Sequence, residues 1–565
     1  MGQSRSSMLP HMSRRRSGAD PVVVVDKSEG RGALPISCRY TASRSLSSDY
    51  TLEPKVVGSG MSGPVRLATG RGDNRKYAVK SFRKIGMSSK SREELKSEAE
   101  IYLSLDHPHV ARLEMVYETD EELHLVMEYM AGGELYDRLF ARKRYSEEEA
   151  AEAAHQMLLA VAYLHAHKIA HRDLKLENFM YEKKDANHLK IIDFGFAKFT
   201  RNNKKMSQAL GSIHYVAPEV LAHSYTEKAD LWSLGVIVYM LLTGSPPIFG
   251  SDDQVLKKIK TGDVHWSSRF RRLSDPARDF LASLLVVDPV KRLSAQAALS
   301  HPWVKERHHI ESSLLDARSL ESLRSFGKMS QFRRNVMYTM AWSLSSEDRI
   351  ELRKQFLSID KDKGGTISLK EFKDVLTHRF NVGSSEAEEL FKSLDADNND
   401  EIEYCEFLAA LLPSKIQVHE GALRKAFSRF DCDGDGTIDS NELRRALGDT
   451  FSTDEIEDLL READTSGDGK LNYEEFLAYF RKMDPAKDLT EVEEELESPG
   501  ETPPECPMRR RDLVHSSTSG PGLAKADPAP KKQGTPWLAR QTSDGGRSSL
   551  PTLLDNFRMP FRSKV

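Results

Sequence analysis

The spacing of apolar residues changes along the chain and divides it into stretches of different character. Residues 50–90 read as strands, residues 123–130 as a further apolar strand, and the acid-rich stretch between about 91 and 104 as a helix. From Gly132-Gly133-Glu134 onward the periods are helical, with an apolar helix opening at Asp230-Leu231-Trp232-Ser233-Leu234-Gly235, up to Trp303. In residues 312–345, Leu320, Leu323, Met329, Phe332, Val336, Met340 and Leu344 recur at spacings of three, four or multiples of these. Arg318, Arg324, Lys328, Arg333 and Arg334 lie among them, which predicts one basic amphipathic helix of the kind an apolar groove captures. Four helix–loop–helix units follow. Residues 1–49 and 483–565 have no sustained period and are rich in Ser and Arg or in Pro, Ser, Gly and Arg, so both are expected to be disordered. The expected boundaries are therefore 1–49, 50–303, 304–345 (a junction helix), 346–482 and 483–565.

Two motifs in the second stretch carry chemistry. His171-Arg172-Asp173-Leu174-Lys175-Leu176-Glu177-Asn178 spells H-R-D-L-K-x-x-N, and Asp193-Phe194-Gly195 follows fifteen residues after Asn178. Phosphoryl transfer needs an acceptor for the substrate hydroxyl proton (Asp173), metal ligands (Asn178 and Asp193) and a cation near the moving phosphate (Lys175). Upstream, Gly58-Ser59-Gly60-Met61-Ser62-Gly63-Pro64-Val65 is a G-x-G-x-x-G-x-V run, whose glycines let backbone close over phosphates. Tyr77-Ala78-Val79-Lys80 then places a lysine for the α- and β-phosphates, and Glu98 is its best-spaced partner; Glu94 and Glu100 read as solvated charges. Met127-Glu128-Tyr129-Met130 ends the apolar strand and could be simple core; in the protein kinases that these motifs resemble, this strand runs to the hinge, where backbone groups of Glu128 and Met130 would bond adenine. Arg292 is the expected salt-bridge partner of Glu219 in Ala217-Pro218-Glu219. In the segment between, Ser207 lacks the threonine or acidic setting of a phosphosite, which argues against control by a loop phosphate.

The four later units match the twelve-residue calcium loop, which supplies oxygens at positions 1, 3, 5, 7 and 12 and needs a glycine turn at 6. Loop 431–442 offers Asp431, Asp433, Asp435, the Thr437 carbonyl and Glu442, with Gly436 and Asp439; loop 464–475 offers Asp464, Ser466, Asp468, the Lys470 carbonyl and Glu475, with Gly469 and Asn472. Loop 360–371 has Asp360, Asp362, Thr366, Ser368 and Glu371, but Gly364 at position 5. Loop 395–406 has Asp395, Asp397, Asn399, Glu401, Glu403 and Glu406, but Asp400 where glycine makes the turn. Four such loops in tandem exclude a chance acidic cluster.

Composition adds limits. A net charge of −4 gives no reason to expect a nucleic-acid partner. Four cysteines without metal-ligand spacing fit a reduced compartment. No apolar run approaches the roughly 18 residues of a transmembrane helix, and residues 22–25 are too short for a signal peptide core. Met1-Gly2-Gln3-Ser4-Arg5-Ser6 fits the pattern for N-myristoylation of Gly2, and Arg14, Arg15 and Arg16 offer the second, basic signal that a single acyl chain needs. The expectation is a cytoplasmic protein, partly attached to membranes.

As a set, these motifs resemble the calcium-dependent protein kinases of plants and apicomplexan protists, over about residues 50–482. The resemblance implies a multidomain chain: a two-lobed α+β protein kinase fold, then an all-α calmodulin-like domain of four EF-hands, between disordered tails. It implies a monomeric Ser/Thr protein kinase using ATP, Mg2+ and Ca2+, activated by calcium without separate calmodulin. Asp173 is then the base; Lys80 and Glu98 an ion pair; Asn178 and Asp193 the magnesium ligands. Gly58, Ser59, Gly60, Gly63, Val65, Ala78, Met127, Glu128, Met130, Glu134 and Met180 line the nucleotide. Glu134 and Glu177 match positions that read an arginine three residues before the target Ser or Thr. Gly364, Asp400, Ser212 (where threonine is commoner) and the long tail depart from the pattern. Two other readings compete. An inactive scaffold would have lost Lys80, Asp173 or Asp193, and all are present; a passive calcium buffer has no use for a basic target helix beside it. Whether the junction blocks the active site or the calcium region braces the kinase from outside stays open.

Overall fold

The structure, a computed structural model, describes residues 38–482 except 43, 61–62, 201–204, 209–210, 308–314, 416–419 and 448–452. Gly2, Arg14, Arg15, Arg16 and the tail from 483 lie outside the described residues.

The strand periods from residue 50 build a six-stranded sheet from β1 (Tyr40–Thr41), β2 (Tyr50–Gly60), β3 (Gly63–Gly70), β4 (Lys76–Arg83), β5 (Leu113–Glu118) and β6 (Glu122–Glu128), in the order β1-β5-β6-β4-β3-β2. β1 runs parallel to β5, pairing Tyr40 with Val116, and the other neighbours are antiparallel. β1 and the short helix α1 (Leu46–Asp49) correct the expectation of disorder up to residue 49: Cys38, Arg39, Thr41 and Leu46 are buried. The Ser- and Arg-rich composition conceals this because the apolar residues here are few and isolated, and the partners that order the segment are distant in sequence. Helix α2 (Ser89–Leu103), capped by Ser88, buries Leu95, Glu98, Ala99, Ile101, Tyr102 and Leu103.

The helical lobe comprises α3 (Leu135–Arg142), α4 (Glu147–Ala166), α5 (Pro218–Leu221), α6 (Lys228–Thr243), α7 (Asp252–Thr261), α8 (Asp275–Leu284), α9 (Ala295–Leu299) and α10 (Pro302–Lys305). Strand pairs β7 (Ile169–Ala170) with β10 (Lys198–Phe199), and β8 (Phe179–Tyr181) with β9 (Leu189–Ile191), frame the catalytic motifs. A capping box between Ser146 and Glu149 starts α4, satisfying two orphan amides. α6 ends at Gly244 in the left-handed conformation (φ 73°), where a Cβ would strike the Lys143 carbonyl. Glu219 and Arg292 meet in the expected bidentate pair, 2.6 and 2.9 Å, both buried.

The junction is two helices and not one: α11 (Ala317–Lys328) and α12 (Gln331–Trp342). Met329 is extended, and the Ser330 hydroxyl accepts the Arg333 amide as the N-cap of a new helix. The apolar period survives the break, since Leu320, Leu323, Phe332, Val336, Met340 and Leu344 are all buried. They share a core with the hand helices α13 (Arg349–Ile359), α14 (Leu369–Phe380), α15 (Ser384–Leu394), α16 (Tyr404–Lys415), α17 (Glu420–Phe430), α18 (Ser440–Leu447), α19 (Thr453–Ala463) and α20 (Tyr473–Lys482). Phe332 lies edge-on to Phe430, Phe476 and Tyr479, at 5.9, 6.3 and 5.9 Å between ring centres. Two-residue strands pair the loops: β11 (Ile367–Ser368) with β12 (Glu401–Ile402), and β13 (Thr437–Ile438) with β14 (Leu471–Asn472).

Candidate phosphoryl-transfer and calcium sites

Three elements deliver one charged cluster. β4 carries Lys80, α2 carries Glu98, and the turn after β9 carries Asp193 at φ 61°. Lys80 Nζ donates to Glu98 at 2.7 Å and to Asp193 at 3.0 Å. Burial works against the ammonium charge, but the two carboxylates overcome it and raise its pKa, so the lysine stays a cation. For Asp193, burial opposes ionisation and the Lys80 charge outweighs it, holding the carboxyl below its usual range. The pair therefore keeps one cation and one oxygen-bearing anion side by side.

A second cluster forms around Asp173. Its Oδ2 accepts Lys175 Nζ at 2.6 Å, and its Oδ1 accepts the backbone amide and hydroxyl of Ser212 at 3.0 and 3.1 Å. Asn178 Nδ2 donates to the Asp173 carbonyl at 2.7 Å, leaving the amide oxygen as the atom for a cation. The loop is held from below by Asp230, which accepts the amides of His171 and Arg172 at 3.0 and 2.9 Å and the His165 ring at 2.9 Å. Tyr102 of α2, Phe194 and His171 stack in sequence, 4.9 and 5.3 Å between centres, and so tie α2 to the catalytic loop. Arg172 donates to the Phe196 carbonyl at 2.5 Å and to Tyr225 at 3.4 Å, while Tyr225 holds the Gln208 carbonyl at 2.8 Å. These bonds position the following segment through backbone oxygens.

The β2–β3 hairpin pairs Gly58 with Val65, Ser59 with Pro64 and Gly60 with Gly63, the last at φ 126°, a conformation glycine alone adopts readily. Val65 lies opposite Lys80 and Ala78 opposite Met127, so these four occupy neighbouring positions of the sheet. Glu134 bridges Met180 across the floor. Met130 is buried, and the Glu128 amide donates to the Arg112 carbonyl at 3.0 Å. Glu177 is largely buried with Oε2 unpartnered, and burial pushes its carboxyl pKa up.

The calcium loops share one geometry. The position-6 amides of Gly365, Asp400, Gly436 and Gly469 donate to the first aspartate of each loop, at 3.1, 3.0, 3.1 and 2.7 Å. Asp400 adopts φ 64°, beside 87°, 89° and 81° for the glycines, so the turn is made at the cost of left-handed strain. Glu371, Glu406, Glu442 and Glu475 all turn inward and accept loop amides. Carboxylate oxygens of Asp360, Asp362 and Glu371 lie within 4.8 Å of one another, as do those of Asp395, Asp397 and Glu406, and of Asp431, Asp433 and Asp435. Burial, with Glu371 and Asp362 adding to it and Lys363 opposing, pushes Asp360 up to about 7; a divalent cation would relieve that crowding. Hard oxygen ligands in these positions fit Ca2+. Ser466 donates to Asp464 in the fourth loop, and Thr366 to Glu401 between the first two. Lys470 Nζ reaches Asp435 at 2.9 Å and Thr437 at 3.1 Å, so the fourth loop neutralises an acid of the third.

Several working residues carried no sequence signal. Arg349 of α13 donates to the Glu128 side chain at 3.0 Å, Lys190 to the same carboxylate at 2.6 Å, and Arg353 to Glu182 at 3.3 Å. Burial opposes ionisation of Glu128, and Lys190 and Arg349 outweigh it, holding the carboxyl well below the usual range. Asp106 accepts the Cys405 amide at 2.5 Å, and Lys425 and Arg429 of α17 pair with Asp73 and Glu114. Isolated charges in sequence cannot be matched without knowing which surfaces meet.

Comparison with known proteins follows the same division. A family profile for the protein kinase domain matches residues 51–304, and one for an EF-hand domain pair matches residues 349–412 and 420–481. The chain is 36% identical over 448 residues to Calcium-dependent protein kinase 34 of Arabidopsis thaliana, spanning 78% of this chain and 86% of the relative. It is 34% identical over 442 residues to Calcium-dependent protein kinase 5 of Plasmodium falciparum (isolate 3D7), spanning 76% and 78%. It is 35% identical over 475 residues to Calcium-dependent protein kinase 11 of Oryza sativa subsp. japonica, spanning 82% of each.

Glu442→Gln or Glu475→Gln removes half of a bidentate ligand and should weaken calcium at its own hand by about tenfold or more. Isothermal titration of the purified chain checks this; unchanged affinities in both variants contradict the ligand assignment.

Proposed function

The chain belongs to the calcium-dependent protein kinases, calcium-regulated Ser/Thr kinases that use ATP, Mg2+ and Ca2+, and from that premise we propose how its residues divide the work. Asp173 accepts the proton of the substrate hydroxyl, and Lys175, bonded to it, steadies the charge that develops. Lys80, held charged by Glu98 and Asp193, meets phosphate oxygens. Asn178 and Asp193 would hold the magnesium, residues 58–65 cover the nucleotide, and Ala78, Met127, Met130 and Met180 line the adenine. When bound, magnesium-ATP supplies the γ-phosphoryl group and neutralises charge during transfer. The observation that carries this reading is the joint presence of an intact Lys80–Glu98–Asp193 contact and an Asp173 held on both oxygens.

Protein substrates present Ser or Thr with an arginine three residues before it. Supporting this, Glu177 Oε2 is a buried acceptor atom without a hydrogen-bond partner that a guanidinium would satisfy. Regulation works by bracing: Arg349, Arg353, Lys425 and Arg429 join the calcium-binding region to Glu128, Glu182, Asp73 and Glu114, on the hinge and sheet and away from Asp173. The C-terminal pair of loops, with fuller ligand sets, supplies the tighter sites. The chain acts as a monomer in the cytoplasm, with peripheral attachment through Gly2 and the Arg14, Arg15 and Arg16 patch. Among the described residues, no helix is long and apolar enough to cross a membrane.

Asp173→Asn should lower peptide phosphorylation by roughly a hundredfold to ten-thousandfold while ATP binding is retained, because the base is not a nucleotide ligand. Turnover near that of the wild type contradicts the assignment. Glu177→Gln should erase the preference for arginine three residues before the target in a peptide-library screen; an unchanged preference removes that reading. A chain ending at residue 311 should be inactive at any calcium level if the region beyond it braces the kinase. Constitutive activity would instead show that the junction blocks.

A further inference from the structure

The segment before the sheet is tied at both ends to parts of the molecule that regulation must connect. Arg39 is 2% exposed, and its guanidinium carbon lies 4.2 Å from the centre of the Trp342 ring. Arg112 lies 4.5 Å from the same ring and donates to the Trp342 carbonyl at 2.5 Å. Trp342 is the last residue of α12, the helix whose Phe332 sits in the aromatic core of the hands. Arg39 Nη2 donates at 2.6 Å to the carbonyl of Leu103, the last residue of α2. That carbonyl is one of the orphan acceptors at a helix C-terminus, where the dipole favours a cation. α2 carries Glu98 and Tyr102, which contact Lys80 and Phe194. The remaining Arg39 nitrogens, Nε and Nη1, are buried without hydrogen-bond partners. The ring face, one carbonyl and the neighbouring Asp106 charge are what offset desolvation of this cation.

The other end of the segment holds the third hand. Arg44 Nη1 donates to the carbonyls of Ser428 and Asp431 at 2.9 and 2.8 Å, while its guanidinium also pairs with Asp49 of α1. Asp431 opens the third calcium loop, so one residue offers its side chain to the loop and its backbone to Arg44. Arg429, just before that loop, donates to the Cys38 carbonyl at 3.4 Å. Between the two ends, β1 is bound into the sheet beside β5.

We propose that residues 38–42 and 44–49 form a strap that couples the third calcium hand and α12 to helix α2, with Arg39 as a positioning residue for the Lys80–Glu98 pair. The inference rests on the reading of the chain as a calcium-regulated kinase and adds the route by which the state of the hands reaches the catalytic cation. Trp342 provides part of what compensates the burial of Arg39, beside the Leu103 carbonyl and the Asp106 charge. Rearrangement of α12 removes the ring face, weakens the hold of the guanidinium on the Leu103 carbonyl, and frees α2 to withdraw Glu98 from Lys80. Arg44 makes the same coupling sensitive to the backbone at the start of the third loop.

The test uses the full chain, magnesium-ATP and an arginine-containing peptide, with kinase rates measured across free calcium and amide hydrogen exchange followed in saturating calcium. Arg39→Ala should lower the calcium-saturated kcat by about tenfold, within the range of coupling between distinct sites, with little change in peptide KM. Exchange should quicken in α2 while α4 and α6 stay protected. Arg39→Lys, which keeps the charge but loses the planar stack, should recover part of the rate. Arg44→Ala should raise the calcium concentration for half-activation. Wild-type calcium dependence in both alanine variants overturns the strap alone. Faster exchange throughout the kinase lobe, matching the lost rate, also overturns it by showing general unfolding. A wild-type chain that does not respond to calcium sinks the functional reading and this inference with it.

Discussion

A lysine ammonium buried between two carboxylates is the contact on which the rest of the molecule depends. Lys80 belongs to the sheet, Glu98 to α2 and Asp193 to the turn after β9, so the cluster exists only when three elements distant in sequence converge. A buried cation that loses a partner is strongly destabilised, and this makes the cluster close to all-or-none. The stack from Tyr102 through Phe194 to His171 extends the same condition to the catalytic loop, which Asp230 holds by its backbone amides.

The calcium-binding region meets the kinase through a different kind of contact. Each has its own apolar core. What joins them is mainly charge and backbone hydrogen bonding: Arg349 on Glu128, Arg353 on Glu182, Arg112 on the end of α12, Lys425 and Arg429 on Asp73 and Glu114. Polar interfaces of this kind can be remade without exposing a large apolar surface. Glu128 sits at the centre of this arrangement, with its backbone at the hinge and its side chain shared between a kinase lysine and an arginine of the first hand.

Much of this was legible in the sequence because it depends on local spacing. Lys80 with Glu98 and Asp193, Asp173 with Lys175, and Glu219 with Arg292 lie together, and in each of the four loops the position-6 amide meets the first aspartate, all through spacings readable in the chain. The apolar period of residues 320–344 identified the buried face correctly, yet the period could not reveal the break at Met329, since Met329 and Phe332 keep the three-residue spacing while Ser330 between them caps a new helix. Residues 38–49 were misread for a plainer reason. Cys38, Arg39 and Arg44 have no apolar pattern of their own, and their partners, Trp342, Ala446, Ser428 and Asp431, lie some three hundred or more residues away. Hydrophobic spacing registers how a segment buries its own surface and is blind to a guanidinium that gains order from a distant ring and carbonyl.

The central claim is that one chain contains both the phosphoryl-transfer site and the calcium sensor that sets its activity. Peptide phosphorylation by the purified full chain, measured across free calcium with no calmodulin added, tests it most directly. The account predicts a rate that is low in chelator and rises cooperatively to saturation as the hands fill. Equal rates in chelator and in saturating calcium would contradict it.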